Sequence, residues 1–533
     1  SDRPCLYPYV SRRYLLHGTQ SKESCAMTTP NILLISSDQH RADCMGFKGR
    51  KIKTPHLDQL AGEGTVFDAC ITPSVVCQPA RASILTGQLC RTHGVHDNGI
   101  DLPAETGEKG FAGSMAAAGY QTSYFGKAHF STYHTYEPTG TPECLRSSAS
   151  FPDTWNGPYM GFEHVELMLV GHNWWAPEKP PAGQHYERFY HMDGKGDERT
   201  KLMWENAGDT KGAAQVWHSK LPVAYHNTPW TADRAIEWLR HGRDEDKPFC
   251  TWVSFPDPHH PFDCPEPWSR LHDPKDVDLP ENRERSYEGK PWWHKAAMEG
   301  EPADPKFADI RKAYSRIPPQ TDEQLREIIA NTYGQISFID HQIGRIMNVL
   351  MEQELDKNTI VIYISDHGDW LGDHGLILKG PMHYEGLLKV PMIVKGPGVP
   401  AGKVVDEPVS TLDLGATFCD YGNAEAQLTQ HGSSLRPLIE GDATRSFARN
   451  EWGLLPGRVG VALELRTVRT RTHKLTVDLI SGAGELYDLE ADPDEMTNLF
   501  DMPQTLEIQA TLLGYIASRP QDMLPDQTPV GTA

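Results

Sequence analysis

The sequence predicts an α/β fold, a mostly parallel sheet flanked by helices, followed by a small C-terminal antiparallel α+β subdomain. Three observations predict it. Strongly apolar runs recur at Asn31–Ser37 (NILLISS), Thr359–Ser365 (TIVIYIS) and Val390–Val394. Near-continuous apolar runs of this length suit strands buried on both faces, which is the situation of a parallel sheet. Helical patterns alternate with these runs, as a sheet covered on both faces requires. From about residue 440 the pattern changes to short strand-like pieces at Val459–Leu465, Lys474–Val477 and Glu485–Tyr487, with a closing helix near 503–517.

The remaining elements follow the same logic. His56–Glu63 has helical spacing and leads into a short strand at Thr65–Asp68. Pro79–Thr86 reads as a helix with proline at an early position. Phe111–Gly119 is a helix closed by Gly119, and Gln121–Phe125 is the next strand. Phe249–Phe255 is another strand. Asp322–Leu355 is the longest helical pattern, with Ile328, Ile329, Ile336, Ile339, Ile343, Ile346 and Leu350 on one side. Residues 131–230 and 262–320 show little periodicity and read as long loops over the core, a common source of pocket walls. Their tryptophans (Trp155, Trp174, Trp175, Trp230, Trp268, Trp292, Trp293) either bind an aromatic or a sugar, or pack the loops down. Domain bounds are expected at 1–26 (an extension), 27–440 (catalytic) and 441–533 (C-terminal subdomain).

Composition excludes several classes. The 533 residues are 38% hydrophobic and 23% charged, an ordinary globular balance. A net charge of −21 repels polyphosphate, so nucleic acid is not an expected partner. An anionic substrate would then need a local island of positive charge. The 10 cysteines are scattered without a CxxC pair, which argues against a zinc site or a disulfide framework. No run approaches the ~18 apolar residues of a membrane span. Residues 1–26 lack an apolar h-region, so a cytoplasmic enzyme is expected. Extended segments make a homo-oligomer, dimer or tetramer, an expectation.

Two apolar strands end in acids: Asp38 in Ser37-Asp38-Gln39, and Asp366 in Ser365-Asp366-His367-Gly368. Ligands in open α/β sheets sit beyond the carboxyl ends of the strands. These acids can therefore converge on one hard divalent cation, with His367 shifting the preference toward Mn²⁺ or Zn²⁺. Singly, each acid reads equally well as a helix N-cap.

The central motif is Cys77-Gln78-Pro79-Ala80-Arg81-Ala82-Ser83-Ile84-Leu85-Thr86-Gly87. A thiol phosphatase loop is excluded by counting: it needs arginine six positions after cysteine, where Ser83 stands, and Arg81 is only four on. The motif resembles the C-x-P-x-R signature, with its distal Thr-Gly, of the sulfatase family in the alkaline-phosphatase-like superfamily. The resemblance implies that Cys77 is converted to formylglycine by a formylglycine-generating enzyme. Its hydrate would offer two geminal hydroxyls, one bound to the metal and attacking a sulfate ester, the other losing its proton to expel sulfate. It further implies Arg81 as a stabiliser of the nucleophile and Asp38, Cys77, Asp366 and His367 as metal ligands. The metal would be one divalent ion, Ca²⁺ or Mn²⁺.

Other segments extend the resemblance over roughly residues 30–500. Gly126-Lys127-Ala128-His129 is similar to the family's G-K-x-H motif. There Lys127 would contact sulfate and His129 would take the proton that triggers release. Pro258-His259-His260-Pro261 matches a P-H-x-P element, pointing to His259 as a sulfate ligand or proton donor. Lys379 stands where the family has a lysine that neutralises the leaving oxygen. Asn98, His383 and Tyr384 are expected substrate contacts, with core packing equally open for the last two.

Asp38-Gln39 and Asp366-His367 depart from the paired acids and Asp-Asn of many sulfatases. They resemble the choline-sulfatase and phosphonate monoester hydrolase branches, with Gln39 ligating or facing the substrate. The lysine and histidine of G-K-x-H favour a compact, fully anionic sulfate. The expected function is hydrolysis of aryl or small alkyl sulfate esters. Phosphonate monoester or phosphodiester hydrolysis at the same site is the competing reading, or a promiscuous side activity.

Overall fold

The computed structural model of the chain describes residues 29–169, 177–315 and 317–532. The expected extension 1–26, with Cys5 and Cys25, lies outside them, as do Trp174 and Trp175. Eight strands form the central sheet: β1 (Asn31–Ser37), β2 (Thr65–Phe67), β3 (Gln121–Lys127), β4 (His164–Met168), β5 (Phe249–Ser254), β6 (Thr359–Ser365), β7 (Met392–Lys395) and β8 (Lys403–Val405). Their spatial order is β4-β3-β5-β1-β6-β7-β2-β8. Every neighbouring pair is parallel except those made by β7, which is antiparallel to both β6 and β2.

The apolar runs are two-sided, as the period of a strand requires. Ile32, Leu34, Tyr124, Trp252 and Ile362 face one core; Leu33, Ile35, Phe125, Val253 and Val361 face the other. The first core is closed by α2 (Cys77–Thr86), α3 (Phe111–Ala117) and a helix at Leu414–Gly422. The second is closed by α1 (Pro55–Glu63), α4 (Asn227–Glu237) and α5 (Asp322–Glu352). The isoleucine stripe of α5 divides along its length. Ile339, Ile343 and Ile346 pack on the sheet, while Ile328, Ile329 and Ile336 pack under the loops.

A four-stranded antiparallel meander follows: β9 (Ala448–Leu454), β10 (Leu463–Arg469), β11 (His473–Asp478) and β12 (Gly484–Asp488). The closing helix Leu506–Ala517 covers it. Val459, expected in a strand, lies instead in the short helix Pro456–Val459. Pro456 presets the first helical φ and Gly460, at φ 78, ends the turn.

The segment 131–230 is more structured than its composition suggested. Among the described residues it contains β4, the start of α4 and short helices at Leu145–Ser148, His185–His191 and Gly196–Trp204. β4 is an edge strand that carries Glu166, paired with Arg234 of α4, so its apolar pattern is broken. Likewise Trp292–Glu299 forms a helix within 262–320.

Candidate active site

The β1 and β6 strands are in register with Ser37 opposite Ser365, so Asp38 and Asp366 emerge side by side from the carboxyl edge. Gly126 of β3 pairs with Ser254 of β5, which places Lys127 and the Pro258-His259 loop at the same edge. Four adjacent strands therefore deliver the motif residues to one place, where an α/β sheet presents ligands.

Cys77 opens α2 after an extended Val76. Its Sγ lies 3.7 Å from Asp38 Oδ1 and 3.1 Å from His367 Nε2. Ligand atoms of Asp38, Cys77, Asp366 and His367 all fall within 4.8 Å of one another, and all four residues are buried. One helical turn on, Arg81 projects the same way. It is fully buried, donating from Nε to Asp366 Oδ2 at 2.8 Å and from a terminal nitrogen to both the Lys127 carbonyl and Ser254 Oγ at 2.8 Å. Lys127 Nζ pairs with Asp38 Oδ2. Lys379 Nζ stands 2.8 Å from Cys77 Sγ, 3.0 Å from His259 Nε2 and 3.1 Å from His367 Nε2.

The electrostatics of this cluster are set by burial and by like and unlike neighbours. Burial alone would raise the Asp38 carboxyl, but Lys127, Arg81, His367 and Lys379 hold it well below the usual range. Burial and the adjacent Asp38 instead raise Asp366, against Arg81. At Cys77, burial and Asp38 raise the thiol, yet Lys379, Lys127 and His367 bring it down to about 6. Burial, then Lys127 and Arg81, push His129 well below the ordinary imidazole value, so its ring is neutral. Arg81, Lys127 and Lys379 set against Asp38 and Asp366 make the positive island that an anionic substrate needs in an acidic protein.

A cavity of about 440 Å³ opens beside Lys379. Asn98, Lys379 and His260 line it together with an apolar wall that includes Trp370, Trp452, Tyr314, Phe307 and Met298.

A model of the sulfatase family matches residues 30–424. The chain belongs to the sulfatase family. A model of the C-terminal part of N-sulphoglucosamine sulphohydrolase matches residues 372–521. An arylsulfatase of Clostridium perfringens is 30% identical over 498 residues, covering 90% of this chain and 92% of that protein. A choline-sulfatase of Rhizobium meliloti is 26% identical over 503 residues, covering 92% and 86%. Among solved structures, a phosphonate monoester hydrolase of Agrobacterium radiobacter superposes with a TM-score of 0.70 at 27% identity, covering 92% and 94%. The protein is accordingly a sulfuric ester hydrolase, and a metal ion and a formylglycine go with its family.

Within this sulfatase the expected site residues separate into two groups. Cys77, Arg81, Lys127, His259, Lys379, Asp38, Asp366 and His367 form one connected cluster. His129 adjoins it, close enough for Lys127, Arg81, Asp38 and Lys379 to act on its ring. Gln39 is held at φ 69, and its side chain is engaged elsewhere. Its Nε2 donates to Asp369 Oδ2 at 2.5 Å and its Oε1 lies 3.3 Å from His260 Nδ1. Asn98 lines the cavity and also accepts the Gln78 amide of α2 at 3.2 Å, supplying a cap from outside the helix.

His383 and Tyr384 lie in core packing, away from the lining of the cavity. His383 is bonded to Thr467 at 2.8 Å and stacked on Trp452, and Tyr384 is stacked on His374 with ring centroids 3.7 Å apart. Both belong to the seam that joins the central sheet to the meander. Of the two readings open for the loop tryptophans, packing holds for Trp230 and Trp293, which are buried, and for Trp268, which stacks on Phe338. Trp370 and Trp452 line the cavity instead, joined by Arg458 and by the C-terminal Thr528, Pro529, Gly531 and Thr532. None of these sits in a motif or a periodic pattern, so local sequence carries no signal for them.

Proposed function

We propose that this sulfatase hydrolyses aryl or small alkyl sulfate esters, with residue 77 as formylglycine and with Asp38, Asp366, His367 and residue 77 holding one divalent cation. The observation that carries this reading is the convergence of those four ligand sets within 4.8 Å, directly against Lys379. The donor set fits a cation. Two buried carboxylates stand so close that Asp38 raises its partner, a pair that a positive ion relieves. Two carboxylates and one imidazole suit Mn²⁺ or Ca²⁺.

When present, the cation supplies Lewis acidity and the hydrated aldehyde supplies the nucleophile and the means to expel sulfate. The side chains do the rest. Lys127 and Lys379 bind sulfate oxygens by charge-assisted hydrogen bonds. Lys379 Nζ and His259 Nε2, 3.0 Å apart, stand together to bind a sulfate oxygen or the leaving oxygen. Neutral His129, whose buried Nδ1 has no hydrogen-bond partner, accepts the proton released as sulfate departs. Arg81 locks Asp366, Asp38 and the Lys127 carbonyl into one frame. The apolar walls of Trp370, Trp452 and Phe307 favour an aromatic or compact aliphatic leaving group over a heavily hydroxylated one.

Two measurements test this. The peptide spanning residue 77 should be ~18 Da lighter than its cysteine form, as expected for exchanging CH₂–SH for CHO. A fully unconverted preparation that still cleaves sulfate would sink the mechanism. On matched aryl esters, kcat/KM should be higher for sulfate than for phosphonate. Gln39 and His367 keep phosphonate as a side activity, supported by the likeness to the phosphonate monoester hydrolase. A clear preference for phosphonate would reverse the order. Apart from residue 77, the described cysteines are buried free thiols, which supports a reducing setting.

A further inference from the structure

Glu143 belongs to none of the motifs, yet it is 1% exposed and has its carboxylate fully engaged beside the active site. Its Oε2 accepts the backbone N–H of His129. Its Oε1 accepts the N–H of Phe130 at 3.0 Å, the N–H of Ser131 at 3.1 Å and the hydroxyl of Tyr159 at 2.8 Å. Three successive amides converging on one anion make a backbone nest, a conformation that requires a left-handed residue. That residue is His129, at φ 53. A non-glycine residue there carries a steric penalty, so something must hold it. Glu143 provides the hold with three hydrogen bonds to the strained turn itself.

We propose that Glu143 is a positioning residue for His129: by binding the amides of His129, Phe130 and Ser131 it holds the turn that directs the His129 imidazole into the cationic cluster. Burial pushes the Glu143 carboxyl up to about 7, while its donors pull the other way, which is the balance expected of a buried acceptor serving four donors. Without the carboxylate, the turn relaxes toward an ordinary φ and the ring leaves Lys127 and Arg81. The inference rests on the reading of His129 as the acceptor of the proton released with sulfate.

The test uses Glu143→Gln, which keeps the shape and removes half of the acceptor capacity. Hydrogen exchange of the His129–Ser131 amides should accelerate. With an aryl sulfate, kcat should fall by about 10- to 100-fold, the scale of losing alignment of a proton acceptor. Because His129 acts after the ester bond has broken, KM should fall alongside and kcat/KM should stay within about threefold. In a His129→Ala background, Glu143→Gln should cause no further loss of kcat. Tyr159→Phe removes one donor and leaves the amides in place, so it should show the same pattern at smaller amplitude if Glu143→Gln does not fold. Unchanged amide exchange at 129–131, or losses that multiply in the double variant, overturn the proposal. A His129→Ala enzyme with wild-type kcat sinks the assignment of His129 instead. A defective His129→Ala with an unimpaired Glu143→Gln overturns the positioning role alone.

Discussion

Arg81 shows how one side chain ties the site to the fold. It is buried with Asp366 and Asp38 and also binds the Lys127 carbonyl and Ser254. Removing one member of a buried charge network leaves the others uncompensated, so Arg81→Ala should cost roughly 3–5 kcal/mol in denaturation. Arg81→Lys should recover part of that stability and little activity, because a single ammonium cannot make the arginine fork. A second residue reports on pH. His93 accepts the Val95 amide at Nδ1 and lies 2.9 Å from Ser83 through Nε2, and burial lowers its value to about 3. The native state therefore binds this proton less readily than the unfolded chain. Its contribution is present above the unfolded value near ~6.5 and is lost as pH falls below it, at about 1.4 kcal/mol per pH unit. His93→Gln should lower stability at pH 7 but flatten the loss between pH 6.5 and 4. Parallel curves for the two proteins would refute this account.

Elements are positioned here by side chains reaching across to helix ends. The α2 start has no cap of its own, and Asn98 accepts the Gln78 amide. Asn98→Ala should cost about 1 kcal/mol in thermal unfolding, the typical worth of a cap. Because Cys77 is the first residue of that helix, the same change should also lower kcat/KM; a stability loss with unchanged kinetics would make Asn98 a cap alone. At α1, Asp340 of α5 plays the same part, accepting the Leu57 amide at 2.7 Å and the His56 amide at 3.2 Å. The central strands and α5 were legible because buried apolar runs and a long isoleucine stripe are periodic signals. β4 was not, because an edge strand with a paired glutamate lacks that pattern. The direction of β7 was also hidden: an apolar run specifies burial, and chain direction depends on the route of the preceding loop.

For the molecule as a whole, the cavity joins parts far apart in sequence. Arg458 and Trp452 reach it from the C-terminal subdomain, and the chain after Arg519 runs back as a strap. Leu524 N–H donates to the Arg91 carbonyl at 2.8 Å, Val530 N–H to Gly99 at 2.8 Å, and Thr532 N–H to His134 at 2.9 Å. The Tyr136 amide returns a bond to Val530 at 2.8 Å. The strap forms one cavity wall, and among the described residues its backbone–backbone hydrogen bonds go to Arg91, Gly99, His134 and Tyr136, none of them in the metal cluster. Deleting 523–533 should therefore raise KM for an aryl sulfate several-fold and leave kcat within about twofold. A collapse of kcat with retained KM would show that the strap shapes the reacting centre instead.

The convergence of the motif residues was legible in the sequence alone, and the room around them was not. Cys77 through Gly87, the acids closing two apolar strands and the Gly126-Lys127-Ala128-His129 turn are short-range patterns. Each follows from a strand or helix whose geometry is local, and adjacent parallel strands must bring their carboxyl ends together. Tertiary structure alone decided that His383 and Tyr384 face the seam, that Gln39 turns to Asp369, and that Trp370, Trp452 and Arg458 wall the pocket. Tertiary structure also brought Glu143 under the His129 turn. These placements depend on loops without periodicity and on contacts between residues hundreds of positions apart. Their geometry is set by how the cores and the subdomain pack, and no window of sequence contains that information.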